Sequence, residues 1–116
     1  MSLDQKAAAT RLLLAVEHLA ADSETQIAYL TGLGDAELVD ELALEFDDEF
    51  GIAPQLANAG IIPWRAVELL GALDLALDRM SGPENQRLWT SAALNSGDEW
   101  KEIRRLARVA LSALSY

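Results

Sequence analysis

Apolar residues recur at helical spacing along almost the whole chain, and that periodicity excludes most folds. In 97–114, Trp100, Ile103, Leu106, Ala107, Ala110, Leu111 and Leu114 fall on one face at 3.6 residues per turn. Lys101, Arg104, Arg105 and Arg108 line the opposite side. Asp98 and Glu99 open this stretch and the arginines follow, as a helix dipole favours. In 63–80, Ala66, Leu69, Leu70, Leu73, Ala76, Leu77 and Met80 make a broad apolar face, and Val67 and Leu75 lie outside it. Only Glu68, Gly71, Asp74 and Asp78 form a polar stripe, the pattern of a central helix wrapped by others. No stretch alternates with a period of two in β-branched residues, so no sheet is expected.

Punctuation divides the pattern into helices. Ser23-x-x-Gln26, Ser81-x-x-Glu84 and Ser96-x-x-Glu99 match the capping box, in which two side chains satisfy orphan backbone donors. Gly32 and Gly60 stand where a left-handed residue would end a helix. Pro54, Pro63 and Pro83 suit first-turn positions. The expected helices are 4–21, 23–31, 35–50, 63–80, 83–95 and 97–114, with a short turn at 54–59. The fold class is all-α: a compact bundle of five to seven short helices with 63–80 at its centre, one helical domain over residues 1–116. The expected core is Leu13, Val16, Ile27, Leu30, Leu38, Leu42, Phe46, Leu70, Leu73, Leu77, Trp89, Ile103 and Leu106.

At 116 residues the chain can build such a core without disulfides or metals. It has no cysteine, which excludes thiol catalysis and thiolate zinc sites and fits a cytoplasmic location. The N-terminal stretch has Lys6 and Arg11 before an apolar run, Leu12–Val16. That run is shorter than the roughly 7–15 residues of a secretory core, and reads as an amphipathic helix. No run approaches the roughly 18 apolar residues of a membrane span.

Charge is distributed very unevenly. The net charge is −10. Between Leu12 and Trp64 there is no lysine or arginine but there are eleven acids, eight of them between Asp35 and Glu49. On the 35–50 helix, Leu38, Val39, Leu42, Ala43, Phe46 and Phe50 form an inward stripe, and Glu37, Asp40, Glu41, Glu45, Asp47 and Asp48 face outward. Leu44 projects among those carboxylates. An apolar contact ringed by charge of one sign is the arrangement of a docking site for a basic protein, steered from a distance and anchored locally. The candidate partner-binding residues are therefore Glu37, Asp40, Glu41, Leu44, Glu45, Asp47 and Asp48. The plainer reading is a solvated, solubilising face. A third is neutralisation by Lys101, Arg104, Arg105 and Arg108, within one molecule or across a homodimer.

Other chemistry finds little support. Nucleic acid and anionic membrane surfaces need clustered cations, which this chain lacks. The segment 55–70, QLANAGIIPWRAVELL, has a helix-turn-helix rhythm, but Arg65 is followed by Glu68, Asp74 and Asp78. Glu41, Glu45 and Asp48 share a face, yet 47–51 lacks the alternating ligands of a calcium loop and no Glu-x-x-His is present. No metal or cofactor is expected. His18 is the single histidine, and no nucleophile elbow accompanies it. The leading expectation is a non-enzymatic, bacterial-type interaction domain, resembling an inhibitor or immunity protein in its charge alone. The rivals are a homo-oligomeric protein and a small-molecule or enzymatic domain with a pocket near His18 or Trp64. Of the tryptophans, Trp64 falls on a polar side and is expected to be the most exposed.

Overall fold

In the computed structural model, which describes residues 3–114, helix α1 spans Leu3–Ala20, α2 Ser23–Leu33, α3 Asp40–Phe50 and α4 Ala53–Asn58. Helix α5 spans Trp64–Arg79, α6 Ser91–Ser96 and α7 Asp98–Leu114, with a 3₁₀ helix at Pro83–Leu88. No strand occurs among the described residues. The chain is thus a compact all-α bundle, as its periodicity requires. None of these helices is long and apolar enough to cross a membrane.

The four helices α1, α3, α5 and α7 run alternately up and down. Arg11 and His18 of α1 meet Glu49 and Glu45 of α3, so the partner number falls as the chain advances. Ala20 meets Arg108, whereas Leu13 lies near Leu114, so α1 and α7 are also antiparallel. Met80 lies near Ile103 and Ile62 near Leu114, which gives the same relation between α5 and α7. Helix α7 packs extensively against both α1 and α5, and α3 completes the bundle against α1.

Eight of the thirteen expected core residues are buried: Val16, Leu30, Leu42, Phe46, Leu70, Leu73, Leu77 and Ile103. Ile27, Leu38, Trp89 and Leu106 are partly buried against them. Leu13 is partly buried at the edge. Fully buried Leu12, Leu19, Leu56, Leu94 and Trp100 complete the interior. Trp64 is 54% exposed.

Local hydrogen bonding changes three expected boundaries. Residues 35–39 are not helical. Gly34, at φ 137°, ends α2 with a pair of closing bonds, Asp35 N–H to Leu30 O and Gly34 N–H to Thr31 O. The Asp35 carboxylate then accepts from Glu37 N–H at 2.9 Å, a turn that competes with helix and delays α3 to Asp40. So Gly34, not Gly32, is the terminating glycine, whereas Gly60 at φ 77° ends α4 as expected. The 83–95 stretch divides because Trp100 Nε1 donates to Leu88 O at 2.6 Å and Thr90 Oγ1 accepts from Ala93 N–H at 3.1 Å. One helix ends there and another is capped.

The three capping-box matches act otherwise. Asp22, not Ser23, caps α2, accepting from Thr25 N–H at 2.8 Å. Ser81 and Ser96 hydroxyls donate backwards, to Asp78 O and Ala92 O. Gln26 is drawn inward. It is 1% exposed, and its Nε2 donates to His18 O at 3.0 Å and to Leu19 O at 3.1 Å. Its Oε1 accepts from Arg104 Nη1 at 3.0 Å, and the same Nη1 donates to Leu94 O at 3.0 Å. Arg108 Nε donates to Ala20 O at 2.8 Å. The C-terminal carbonyls of α1 are thereby satisfied by α2 and α7, and two guanidinium charges sit at the negative end of its dipole.

This network predicts that Arg104→Leu and Gln26→Leu each lower unfolding stability by roughly 2–4 kcal/mol, because each leaves buried polar groups unpaired. The double variant should lose less than the sum, since the two side chains share one network. Denaturant unfolding of the three variants measures this. A loss in Arg104→Leu within about 0.5 kcal/mol, the ordinary range for a surface change, would refute it.

Candidate functional site

Helix α3 carries no basic residue. Its inward stripe is anchored by Leu42 and Phe46, both fully buried, with Phe50 stacked on Phe46 at a centroid distance of 5.2 Å. Burial of those side chains fixes which face remains outside. Leu44 is on it and is 48% exposed. Its four neighbours on the helix surface, at i−4, i−3, i+3 and i+4, are Asp40, Glu41, Asp47 and Asp48. Among the described residues no ion pair involves any of these four. Asp40 and Glu41 occupy the first turn, where the helix dipole favours them, but Asp47 and Asp48 stand near the C-terminal end, where it opposes them.

The other predicted partner-binding residues are engaged inside the molecule. Glu37 precedes α3 rather than facing outward on it. Its Oε1 accepts from Ser91 N–H at 3.0 Å and its Oε2 from the Ser91 hydroxyl, so it satisfies the first N–H of α6 beside the Thr90 cap. Glu45 is only about a quarter exposed. Its Oε1 lies 3.0 Å from His18 Nδ1, and its Oε2 accepts from the Tyr29 hydroxyl. The His18 and Tyr29 rings stack at 4.0 Å. Glu49 accepts from Arg11 Nε at 3.2 Å. At 3.6 residues per turn, Glu49 falls about 20° and Glu45 about 60° from Leu42. Both therefore lie beside the apolar stripe; Glu49 is not among the expected outward acids, and for Glu45 that position is the signal in the sequence that would have separated it from them.

Within one molecule the basic stripe of α7 does not neutralise α3. Arg104 and Arg108 serve α1, α2 and α6 as described above, Arg105 pairs with Glu102 and Lys101 with Asp98. The expectation that all four face solvent opposite the core is corrected for Arg104, which is 7% exposed. Desolvation and the nearby charge of Arg108 lower its pKa, partly opposed by Asp22.

Two grooves flank α3. Between α1 and α3, Arg11, Leu14, Ala15, His18, Glu45, Asp48 and Glu49 line a cavity of about 220 Å³. Both walls follow helical spacing, 11, 14, 15, 18 against 45, 48, 49, which is why one groove collects them. Between α3 and α5, Leu44, Phe46, Leu77 and Trp89 line a cavity of about 180 Å³ together with Asp47, Asp74 and Asp78. Both are smaller than the roughly 300 Å³ at which ligand pockets usually begin. Partial burial and the charges of Asp47 and Asp78 raise the Asp74 carboxyl above its usual range. No cluster of three His or acidic residues among the described residues could hold a metal ion.

Burial and the bond to Glu45 push the Tyr29 hydroxyl from 10.0 up to about 12. The folded chain then holds this proton more tightly than the unfolded chain. Stability from Tyr29 is complete below pH 10 and is lost as pH rises towards 12. Tyr29→Phe should lower stability by about 1 kcal/mol at neutral pH and flatten that alkaline loss. An unchanged alkaline slope in unfolding experiments would disprove the link. Asp74 has the same sign: its raised pKa weakens the fold as pH rises through it. Asp74→Asn should raise stability at pH 7 by about a few tenths of a kcal/mol, seen as a higher midpoint of thermal unfolding, with the gain vanishing in acid.

Comparison of the chain with protein-family models, with curated proteins and with solved structures gives no match.

Proposed function

We propose that this protein is a non-enzymatic, cytoplasmic interaction domain that docks a basic protein through the outer face of α3. The observation that carries the proposal is the half-exposed Leu44 with acids at all four adjacent helical positions and, among the described residues, no cation paired to any of them. Such a face is unfavourable in the free protein. Like charges repel along the helix, and Asp47 and Asp48 oppose its dipole. A cationic partner relieves both effects, so its charge contributes more here than on a balanced surface.

The division of labour follows from the geometry. Asp40, Glu41, Asp47 and Asp48 attract the partner over a screened range of about 10 Å at 0.1 M salt. Leu44 supplies the contact from which water is expelled. Glu37, Glu45 and Glu49, held by Ser91, His18, Tyr29 and Arg11, position α3 and add to the field behind it. The small groove beside His18, with Arg11 already bonded to Glu49 and His18 to Glu45, favours docking over a small-molecule site. An inhibitor of a basic toxin or nuclease is the class of activity that fits, with the acidic face occupying a site made for polyanions.

The test uses protein from the source organism's lysate captured at low salt. A partner held by the wild type should be released by Asp40→Asn/Glu41→Gln/Asp47→Asn/Asp48→Asn and weakened about tenfold by Leu44→Ala. Its association rate should fall steeply with salt. The amide variant should be at least as stable as the wild type, because the changes remove repulsion, so lost binding would not reflect lost folding. Equal capture of the same partner by the amide variant would overturn the proposal.

A further inference from the structure

The groove between α3 and α5 contains features that the outer face of α3 does not. Its lining is apolar at Phe46, Leu77 and Trp89, with Leu44 completing it from the exposed side of α3. Its acids come from two helices, Asp47 from α3 and Asp74 and Asp78 from α5. Among the described residues none of the three is paired with a cation. Asp74 and Asp78 are successive residues on one face of α5, at i and i+4, so they form a short acidic edge opposite Asp47. A cavity of about 180 Å³ is too small for an ordinary free ligand and suits one long side chain.

We infer that this groove receives a single arginine from a cationic helix of the docked partner, with the methylenes of that arginine along Phe46, Leu77 and Trp89 and its guanidinium among Asp47, Asp74 and Asp78. This inference rests on the docking role proposed above and specifies its anchor. Charge complementarity selects a cation, and the apolar lining selects one with a long aliphatic stem. Arginine fits better than lysine, because its planar fork offers five N–H donors to carboxylates approaching from different helices. A helix is the natural carrier. Leu44 and the groove are adjacent on α3, and an apolar residue one turn from the arginine would cover Leu44 while the arginine enters beside it. The repulsion already acting on Asp74 from Asp47 and Asp78 would be relieved by the incoming charge.

The experiment uses the full chain and two synthetic peptides about 18 residues long, long enough to be helical in water. Both are alanine-based, with leucine one turn from a central position and lysines on the outer face. One has arginine at the centre and the other glutamine. Binding is followed by nuclear magnetic resonance of the indole N–H groups, of which Trp89 reports on the groove and Trp64 serves as the control; Trp100 packs edge-on against Trp89 at 5.3 Å and is not used as one. The expected result is a selective shift of Trp89, with affinity for the arginine peptide about tenfold above that for its twin. Asp74→Asn/Asp78→Asn should abolish that tenfold difference and leave the weaker binding of the glutamine peptide unchanged. Equal affinity of the wild type for the two peptides would overturn the inference. So would an arginine preference that survives in the double variant. If Asp40→Asn/Glu41→Gln/Asp48→Asn loses binding while Asp74→Asn/Asp78→Asn keeps the full arginine preference, the groove is refuted and docking on α3 stands. Loss of partner capture in neither variant would instead count against docking itself. Asp78→Asn alone, at an exposed position, gives a second reading should the double variant fold poorly.

Discussion

The fold depends on how a buried guanidinium is accommodated. Among the described residues Arg104 has no carboxylate in hydrogen-bond contact; its Nη1 is bonded to a side-chain amide and a backbone carbonyl. An isolated buried charge is expensive. Here it is stabilised by the C-terminal end of α1, reached through Gln26, and by the carbonyl of Leu94. One side chain thus ties α7 to α1, α2 and α6. Apolar packing alone would tolerate small rotations of these helices. Directional bonds to three carbonyls do not, so the network sets the register in which Leu12, Leu19, Leu30 and Ile103 meet.

The same frame reaches α3. His18 accepts from Gln26 through its main chain and holds Glu45 through its ring. Tyr29 of α2 holds the other oxygen of Glu45. Arg11 holds Glu49 one turn further along. These contacts fasten the side of α3 that faces α1, and Leu42 and Phe46 fasten its inner side. What is left is a strip around Leu44 whose charges are paired with no cation among the described residues. A helix free to rotate would spread its acids over several surroundings. Anchored at two sides, α3 presents one defined acidic face and one groove against α5. Stability is given up there, because acids near a helix C-terminus and across a narrow groove repel and oppose the dipole.

Much of this could be read from the sequence and some could not, and the difference has a physical pattern. The periodicity of 63–80 and 97–114 located α5 and α7 within a residue, because a dense apolar face leaves few alternatives. The apolar spacing of the 35–50 stretch starts at Leu38 and predicts one helix. A local turn at Asp35 competed successfully with that spacing, since a carboxylate can satisfy a backbone N–H within two residues. Likewise, capping boxes at Ser23, Ser81 and Ser96 are short motifs that any nearby partner can displace. For Gln26 the displacing partner was Arg104, 78 residues away.

The outward acids of α3 and the exposure of Leu44 and Trp64 follow from helical geometry and are legible in the sequence. Amphipathicity is a property of one segment and needs no knowledge of its neighbours. The distinction between free acids and engaged ones is only partly legible. Glu45 and Glu49 lie beside the apolar stripe, but nothing local sets Glu37 apart from Asp40, and the partners Ser91, His18, Tyr29 and Arg11 are brought up only by the fold. The sequence by itself therefore determined helices, their faces and the sign of the exposed charge, because these depend on short-range spacing. The tertiary structure decided which charges remain unpaired, that Arg104 is buried, and that Asp74 and Asp78 join Asp47 across a groove, because pairing depends on distances between residues far apart along the chain.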